Sequence, residues 1–422
     1  MRLLKNLTAT SLASLTGMAM QALTAPLYLS ILDVHTFSRW LFATSVGAYL
    51  SLTVNGLFYA IMNDVVIDSH NGNQRSANKL YQDGLYIILY LFVPLSVLAA
   101  IANIIFSHTA AAVLSITLAT AAVNLTYVLI DANFRSQSKF VLGSNILSSM
   151  RVLDWLVGLG AVLLTKDIAQ ALALTLGYRI CATLALLSTF QFTPGSLRLS
   201  KITRPPGTRS LVRYAARAKG QLAIAATGAS SSMLPQIVAS SVFPGHVSVY
   251  FNVYRTYMRL LASAATTANA AAWPILTRLY AERKRAELRR FFSIGLMLTF
   301  ALAILGATVL FLGAHFAFPL LFKSKIEIIA PWMALTAVAV VISAMTIFCQ
   351  SVFIATNMTS WTMYTNLGLT LGSMACLTVA SQAWGIYGLL WTLVASEALM
   401  FWATLSSATK ALNRWHLESV EP

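Results

Sequence analysis

Residues 291–316 read FFSIGLMLTFALAILGATVLFLGAHF. These 26 positions carry no Asp, Glu, Lys or Arg. At 1.5 Å per residue such a stretch crosses a hydrocarbon core of about 30 Å as one α-helix. Eleven further apolar stretches share this character. The twelve spans read from the chain are 7–32, 37–62, 81–106, 109–130, 141–164, 168–190, 219–242, 247–275, 291–316, 328–355, 360–383 and 385–406. Helices are required because lipid offers peptide groups no hydrogen-bond partner.

Composition agrees. Charged residues make up 10% of the 422 and hydrophobic residues 58%, with a mean hydropathy of +0.72. A soluble domain carries roughly 25% charge. Disorder is excluded by the abundance of apolar residues. A β-barrel is disfavoured because the apolar runs exceed the roughly ten-residue alternations of barrel strands. The fold class is therefore all-α and polytopic, with about twelve transmembrane helices in two pseudo-symmetric six-helix lobes.

The net charge of +16 does not indicate nucleic acid. Lys and Arg cluster between the spans, where topology and anionic headgroups account for them. On the N-terminal side of the membrane 21 of them fall, and 4 on the opposite side: Arg39, Lys166, Lys323 and Lys325. The excess of positive charge on cytoplasmic loops places both termini in the cytoplasm. We expect a multi-pass protein of a bacterial inner membrane with an uncleaved first helix.

The longest connection, 191–218, is basic and rich in Pro and Gly, and joins an N-terminal lobe at 1–190 to a C-terminal lobe at 219–422. The lobes resemble each other. A shift of 210 places Ser38, Trp40 and Leu41 on Ser248, Tyr250 and Phe251. With a longer shift, Asn133 through Met150 resembles Asn357 through Met374. Six spans per lobe make a parallel repeat. Pro26 in the first span and Pro235 in the seventh occupy similar places. A proline frees a carbonyl and bends a helix, so both are candidate hinges.

Residues 6–13 (NLTATSLA) and 25–32 (APLYLSIL), followed by a short turn and a second long helix, are similar to O-antigen flippases. With two six-helix lobes, paired prolines and a basic linker, the whole chain resembles the polysaccharide transporter branch of the multidrug/oligosaccharidyl-lipid/polysaccharide exporter superfamily. That superfamily also holds multidrug/toxin extruders and lipid II flippases. The resemblance implies a flippase that moves undecaprenyl-diphosphate-linked oligosaccharide, such as an O-antigen or exopolysaccharide unit of lipopolysaccharide assembly, by alternating access. It implies a cationic cavity between the lobes with arginines on the eighth helix. The partners implied are that substrate, membrane lipid and other polysaccharide-assembly membrane proteins, and the working state is a monomer. No nucleic acid, cofactor or metal is implied.

Ionisable residues at membrane depth are functional candidates. Arg151, Asp154, Arg179, Arg255, Arg259 and Glu397 lie within spans. Arg39 and Asp64 lie near span ends, where their charges reach the interface. Arg255 and Arg259 are one turn apart, about 40° around the helix axis. Ser248, Asn252, Ser263 and Thr266 share their side, and Tyr250, Tyr254 and Tyr257 gather on another. Such a polar stripe suits a helix lining a watery cavity. Arginine forks donate two parallel hydrogen bonds to phosphate. Arg255, Arg259 and Asn252 are therefore substrate-binding candidates, and Arg39, Arg151 and Arg179 are candidates from the first lobe. Arg151 and Asp154, at i and i+3, can pair with each other. Asp154 and Glu397 are candidate ion-coupling groups, and Glu397 could also pair with an arginine of the other lobe.

The charged run 281–290 suits membrane-surface contact. Cys181, Cys349 and Cys376 lie in apolar segments and suggest neither disulfides nor a metal. Sequons at Asn6, Asn124 and Asn357 fall on buried or cytoplasmic positions. No Walker loop, nucleophile elbow or zinc motif occurs, so the chain is not an enzyme on its motifs. Three alternatives stand beside the flippase. A multidrug/toxin antiporter of the same fold uses lobe carboxylates, whereas the deep charges here favour arginine. A major-facilitator carrier would bear an Asp-Arg-x-Gly-Arg pattern after its second span, which residues 63–75 lack. An O-antigen polymerase would carry a large outer loop.

Overall fold

A peptide group in hydrocarbon finds partners only within its own helix, and the computed structural model of this chain is helical throughout. It describes residues 2–106, 109–137, 139–192, 208–323, 325–356 and 360–414, among which no strand occurs. The helices are α1 (Arg2–Ile31), α2 (Val34–His70), α3 (Gln74–Ile87), α4 (Val93–Phe106), α5 (Thr109–Ser136), α6 (Phe140–Thr165), α7 (Ile168–Phe192), α8 (Thr208–Val242), α9 (Gly245–Ala281), α10 (Arg285–Phe322), α11 (Ala330–Thr356) and α12 (Ser360–Arg414). Every span read from sequence falls on one or more of them. Most of the linker at 191–218, and residues 357–359 at the start of the second repeat segment, lie outside the described residues.

The third span is divided. A π-helical turn, Ile88–Phe92, separates α3 from α4, and Pro94 follows at once. The proline has no N–H to give residue 90 and its ring crowds that carbonyl. A wider turn just before it relieves the crowding.

The last two spans lie together in α12, which is broken at Trp384 (φ −124°) and Gly385 (φ +61°, ψ −148°). Only glycine adopts the latter conformation readily. Beyond the break the chain returns. Asn366 Nδ2 donates to Thr404 Oγ1 at 3.1 Å, and Thr370 Oγ1 donates to Met400 Sδ at 3.0 Å. Both pairs are centred on residue 385, so the two arms of α12 run antiparallel as a hairpin.

Among the described residues nine segments are long and apolar enough to cross a membrane, and the last of these, Tyr364–Lys410, includes the hairpin. The 37-residue α9 is not one of the nine. Its arginines and small polar residues lower its hydropathy although its length suffices.

The same neighbour pattern recurs in the two halves of the chain. In the first, α2 packs on α5, α4 on α5 and α6 on α7; in the second, α9 packs on α11, α10 on α11 and the arms of α12 on each other. By contacts the chain forms two compact units, one of residues 1–16 and 31–237, the other of residues 17–30 and 238–422. These units are drawn by contacts, and their bounds differ from those of the lobes read at 1–190 and 219–422. The second half of α1 belongs with unit 2, and most of α8 belongs with unit 1. Contacts follow helix packing rather than chain order. The division in α8 falls just past Pro235, whereas that in α1 falls at Gly17, well before Pro26.

Unit 1 is built around Phe58, Val65, Ala77, Ala121, Leu125 and Leu129, all fully buried. Here α2 meets α8 at Gly56, where an added Cβ would stand 2.4 Å from the Gln221 carbonyl oxygen. Small residues permit this close backbone approach. Asp33 caps α2. Its carboxylate accepts the His35 and Thr36 N–H groups at 2.9 Å each and the Thr36 hydroxyl at 2.5 Å. The Thr36 hydroxyl, and then its N–H, hold the Asp33 carboxyl below its ordinary value.

In unit 2 the segment after α10 is tied to its neighbours. Tyr254 Oη accepts the Ile329 N–H at 3.0 Å and donates to the Glu327 carbonyl. Lys325 Nζ donates to the Leu29 carbonyl at 2.5 Å. That carbonyl lies in the last turn of α1, where helical acceptors lack an N–H.

We predict that Gly56→Leu destabilises unit 1 by about 1–3 kcal/mol through overpacking. Gly228→Ala, whose Cβ meets nothing within 4 Å, is the control. Thermal melting of the detergent-purified protein by size-exclusion fluorescence checks this: Gly56→Leu melts several degrees lower and Gly228→Ala does not.

Candidate functional site

Most hydroxyls in the spans are satisfied locally. Ser45 donates to the Leu41 carbonyl at 2.6 Å, Thr126 to Ala122 at 3.0 Å and Thr227 to Ala223 at 2.8 Å, each one turn back. This is the usual back-bonding of Ser and Thr within helices. Charged and carboxamide groups need partners from elsewhere, and those partners sort the candidate residues.

On α9 the polar stripe faces inward over its middle. Ser248 and Asn252 are buried, and Arg255 is 6% exposed. Arg259 lies one turn on and is partly buried. The stripe does not stay covered, because Thr266 is exposed. The tyrosine side is structural. Tyr254 and Tyr257 pack on Phe318 of α10, with ring centroids 5.8 and 5.4 Å apart. Tyr250 Oη donates to the Lys325 carbonyl at 3.4 Å. One face of α9 therefore holds the helix in its unit, and the other carries charge.

Glu397 of α12, also 6% exposed, belongs to the same unit. Its carboxylate interacts electrostatically with Arg255 and Arg259, and the Ser343 hydroxyl of α11 donates to it. Among the described residues its Oε2 has no hydrogen-bond partner, nor has Asn252 Nδ2. Two guanidiniums of α9, one hydroxyl of α11 and the carboxylate of α12 thus act together, and Asn252 lies about one turn before Arg255 on α9. The arginines that act on Glu397, Arg255 and Arg259, lie in its own unit. The group combines guanidiniums with a carboxylate. It can bind an anion through guanidinium N–H donors, or hold a proton on its carboxylate.

The first-half candidates are arranged otherwise. Asp154 of α6 is held by Arg179 of α7, with Nε to Oδ1 at 2.6 Å and Nη2 to Oδ2 at 2.6 Å. The pair is bidentate, and its side chains keep 20% and 19% of their surface. The pairing of Asp154 with Arg151 is thereby corrected. Arg151 is exposed, since the fork on the neighbouring helix reaches both carboxylate oxygens and a residue three positions on in the same helix does not. Arg39 is also exposed. Arg39, Arg151, Asp154 and Arg179 all belong to unit 1, while Arg255, Arg259, Asn252 and Glu397 belong to unit 2. Pro26 and Pro235 are both buried within continuous helices.

Sequence reasoning passed over three features. Ser343 looks like one more span hydroxyl, and only helix packing points it at Glu397. Asp83 on α3 is 5% exposed, yet it stands at the start of an apolar run, where a charge reads as interfacial. Asn133 on α5 is fully buried and accepts the Gln137 side-chain N–H at 2.9 Å. A carboxamide within an apolar span was the available signal. No cluster of three or more metal-binding side chains occurs among the described residues. The three cysteines are free.

Comparison with known proteins gives the fold a context. No family model and no curated protein matches the sequence. Solved structures do match. An inward-facing multidrug resistance MATE family transporter of the MOP superfamily superposes with a TM-score of 0.75 at 13% identity, covering 96% of each chain. An outward-facing form of such a transporter gives 0.65 at 12%, covering 97% of this chain and 95% of that one. A Vibrio cholerae MATE transporter gives 0.62 at 13%, covering 97% and 96%. The likeness is one of fold over essentially the full length.

We predict that Arg179→Ala destabilises the protein and Arg151→Ala does not. Breaking a fully buried pair costs about 3–5 kcal/mol. With a fifth of each side chain exposed, we expect about 2 kcal/mol. Melting temperatures of the two variants in one detergent check this, and equal losses would refute the assigned pairing.

Proposed function

We propose that this chain is a flippase for an undecaprenyl-diphosphate-linked oligosaccharide in a bacterial inner membrane, acting as a monomer with both termini cytoplasmic. The observation that carries the proposal is the paired Arg255 and Arg259 on one face of α9, with Asn252 beside them. Two arginine forks one turn apart match a diphosphate in geometry and charge. Arginines at membrane depth are candidates for contact with an anionic ligand. The full-length likeness to transporters of the MOP superfamily supports alternating access. Arg255 is buried here, so phosphate contact belongs to a state of the cycle in which this face of α9 is open. Pro26 and Pro235 serve as hinges in that cycle.

Among the acids proposed for ion coupling, Glu397 is better placed than Asp154. Both Asp154 oxygens are engaged by Arg179, whereas Glu397 Oε2 has no hydrogen-bond partner among the described residues. Arg39 and Arg151 have no comparable setting and remain candidates for substrate contact at an earlier step.

A second function is favoured by a separate observation. The matched structures are of multidrug resistance transporters, and a buried carboxylate such as Glu397 suits export of a cationic drug. The two arginines that act on that carboxylate weigh against a cationic substrate.

We predict that a deletion strain accumulates undecaprenyl-diphosphate-linked sugar on the cytoplasmic face, measured by lectin access on spheroplasts and inverted vesicles. Arg255→Ala and Arg259→Ala each reduce rescue at least tenfold at equal protein levels. Wild-type surface polysaccharide in both variants would overturn the proposal. Unchanged polysaccharide with lowered inhibitory concentrations for cationic drugs would establish the extruder.

A further inference from the structure

We propose that unit 1 holds a binding site for one acyl chain of a membrane phospholipid, in an apolar crevice floored by α5 and walled by the third span and α7. All the residues that line it belong to unit 1, and the site is independent of the function proposed for the α9 arginines.

The crevice has its origin in helix packing. The third span and α7 each pack on α5 but pack little on each other, so a furrow is left above α5. Small side chains deepen it. Ala122, Val123 and Thr126 form the floor, and all three are buried. The Thr126 hydroxyl donates to the Ala122 carbonyl at 3.0 Å, and that of Thr183, on the α7 wall, donates to the Arg179 carbonyl at 2.7 Å. Both hydroxyl protons are therefore spent within their own helices. The π-helical turn supplies Ile88 and Leu89 to the opposite wall. The cavity measures about 300 Å³ and no charged side chain lines it. A phosphate or amine head group would find no ionic partner there, whereas a hydrocarbon chain finds apolar walls on three sides.

The two ends of the crevice differ in depth. A Cβ added to Gly84 would stand 2.9 Å from Leu129, and Leu187 packs with Ile130 and Phe134. Gln82 and Leu187 thus lie level with the later turns of α5. Ala122 and Ile180 stand at the middles of α5 and α7, and Val93 just past the middle of the third span. From Gln82 to Val93 the helix rises about 16 Å. The crevice therefore runs from mid-membrane toward the face at which α3 begins, with the carboxamide of Gln82 at its outer end. An acyl chain in that leaflet has the same orientation, polar end outward and methyl end at the midplane.

The open side identifies the occupant. Leu89, Val93, Ile180 and Leu184 at the rim are exposed, whereas Leu85, Tyr86 and Ile88 beneath them are buried. Large aliphatic side chains exposed within spans meet hydrocarbon. An apolar void of this kind stays dry, and an empty one leaves its lining atoms without contacts. Phospholipid chains are the apolar material present at the rim, and one that slides in restores those contacts.

The test is native mass spectrometry and thermal melting of the purified full chain in a steroid detergent, which carries no alkyl chain, with a long-chain phosphatidylglycerol as the probe. Wild type should retain one phospholipid more tightly than the rest and melt higher as the lipid is added, because a ligand of the folded state stabilises it. Val123→Phe fills the floor. It should retain about one phospholipid fewer and lose most of that rise, while melting higher than wild type before lipid is added. Leu184→Asn, at the rim, should weaken retention severalfold. Leu174→Asn, exposed on the same helix but outside the crevice, should not. Leu184→Asn keeps the test decisive if Val123→Phe folds poorly. Equal retention and an equal rise in wild type, Val123→Phe and Leu184→Asn overturn the site. Retention of a polyprenyl lipid in place of phospholipid, lost in Val123→Phe, overturns the phospholipid assignment and gives the crevice to the tail of a lipid-linked substrate.

Discussion

Hydrocarbon cannot hydrogen-bond a peptide group, and almost everything in this protein follows from that constraint. It makes every described span a helix. It turns Ser45, Thr126 and Thr227 back on their own carbonyls. It also explains the irregular places. The third span widens into a π turn beside Pro94, and the α12 hairpin turns through Gly385. The end of α1 has its Leu29 carbonyl met by Lys325. Each break in helical bonding is placed where a nearby group or a tolerant residue absorbs it.

Charge obeys the same constraint more severely. A lone ion at membrane depth is expensive, so deep charges either complete one another or wait for a ligand. Both solutions occur here. Asp154 and Arg179 close on each other through two 2.6 Å bonds, which suits a role in tying α6 to α7. Arg255 and Arg259 act on Glu397 from another helix, and Glu397 Oε2 has no hydrogen-bond partner among the described residues. The contrast between a closed pair and an open cluster is a better guide to function than a census of deep charges. It moves attention from the first half to the second.

The fold alone leaves cargo unassigned. The matched MATE structures share it at 12–13% identity, a distance at which fold persists while sites are rebuilt. Cargo is decided by the side chains placed on the scaffold rather than by the scaffold itself.

Hydropathy and the spacing of residues in α9 were enough to determine an all-helical polytopic chain and the arginine stripe. Those features depend on neighbours along one helix, where 3.6 residues per turn fixes the geometry. The break between 383 and 385 was legible for the same reason, since a glycine interrupts the apolar run there. Partners across helices were not legible. Asp154 has Arg151 near it in sequence and Arg179 against it in space. Ser343 is one hydroxyl among many until α11 brings it to Glu397. The assignment of half of α1 to unit 2 was hidden too. Periodicity says which face of a helix is polar but not which helix lies opposite. That choice is made by close packing, such as Gly56 against the Gln221 backbone, and only the folded chain decides it.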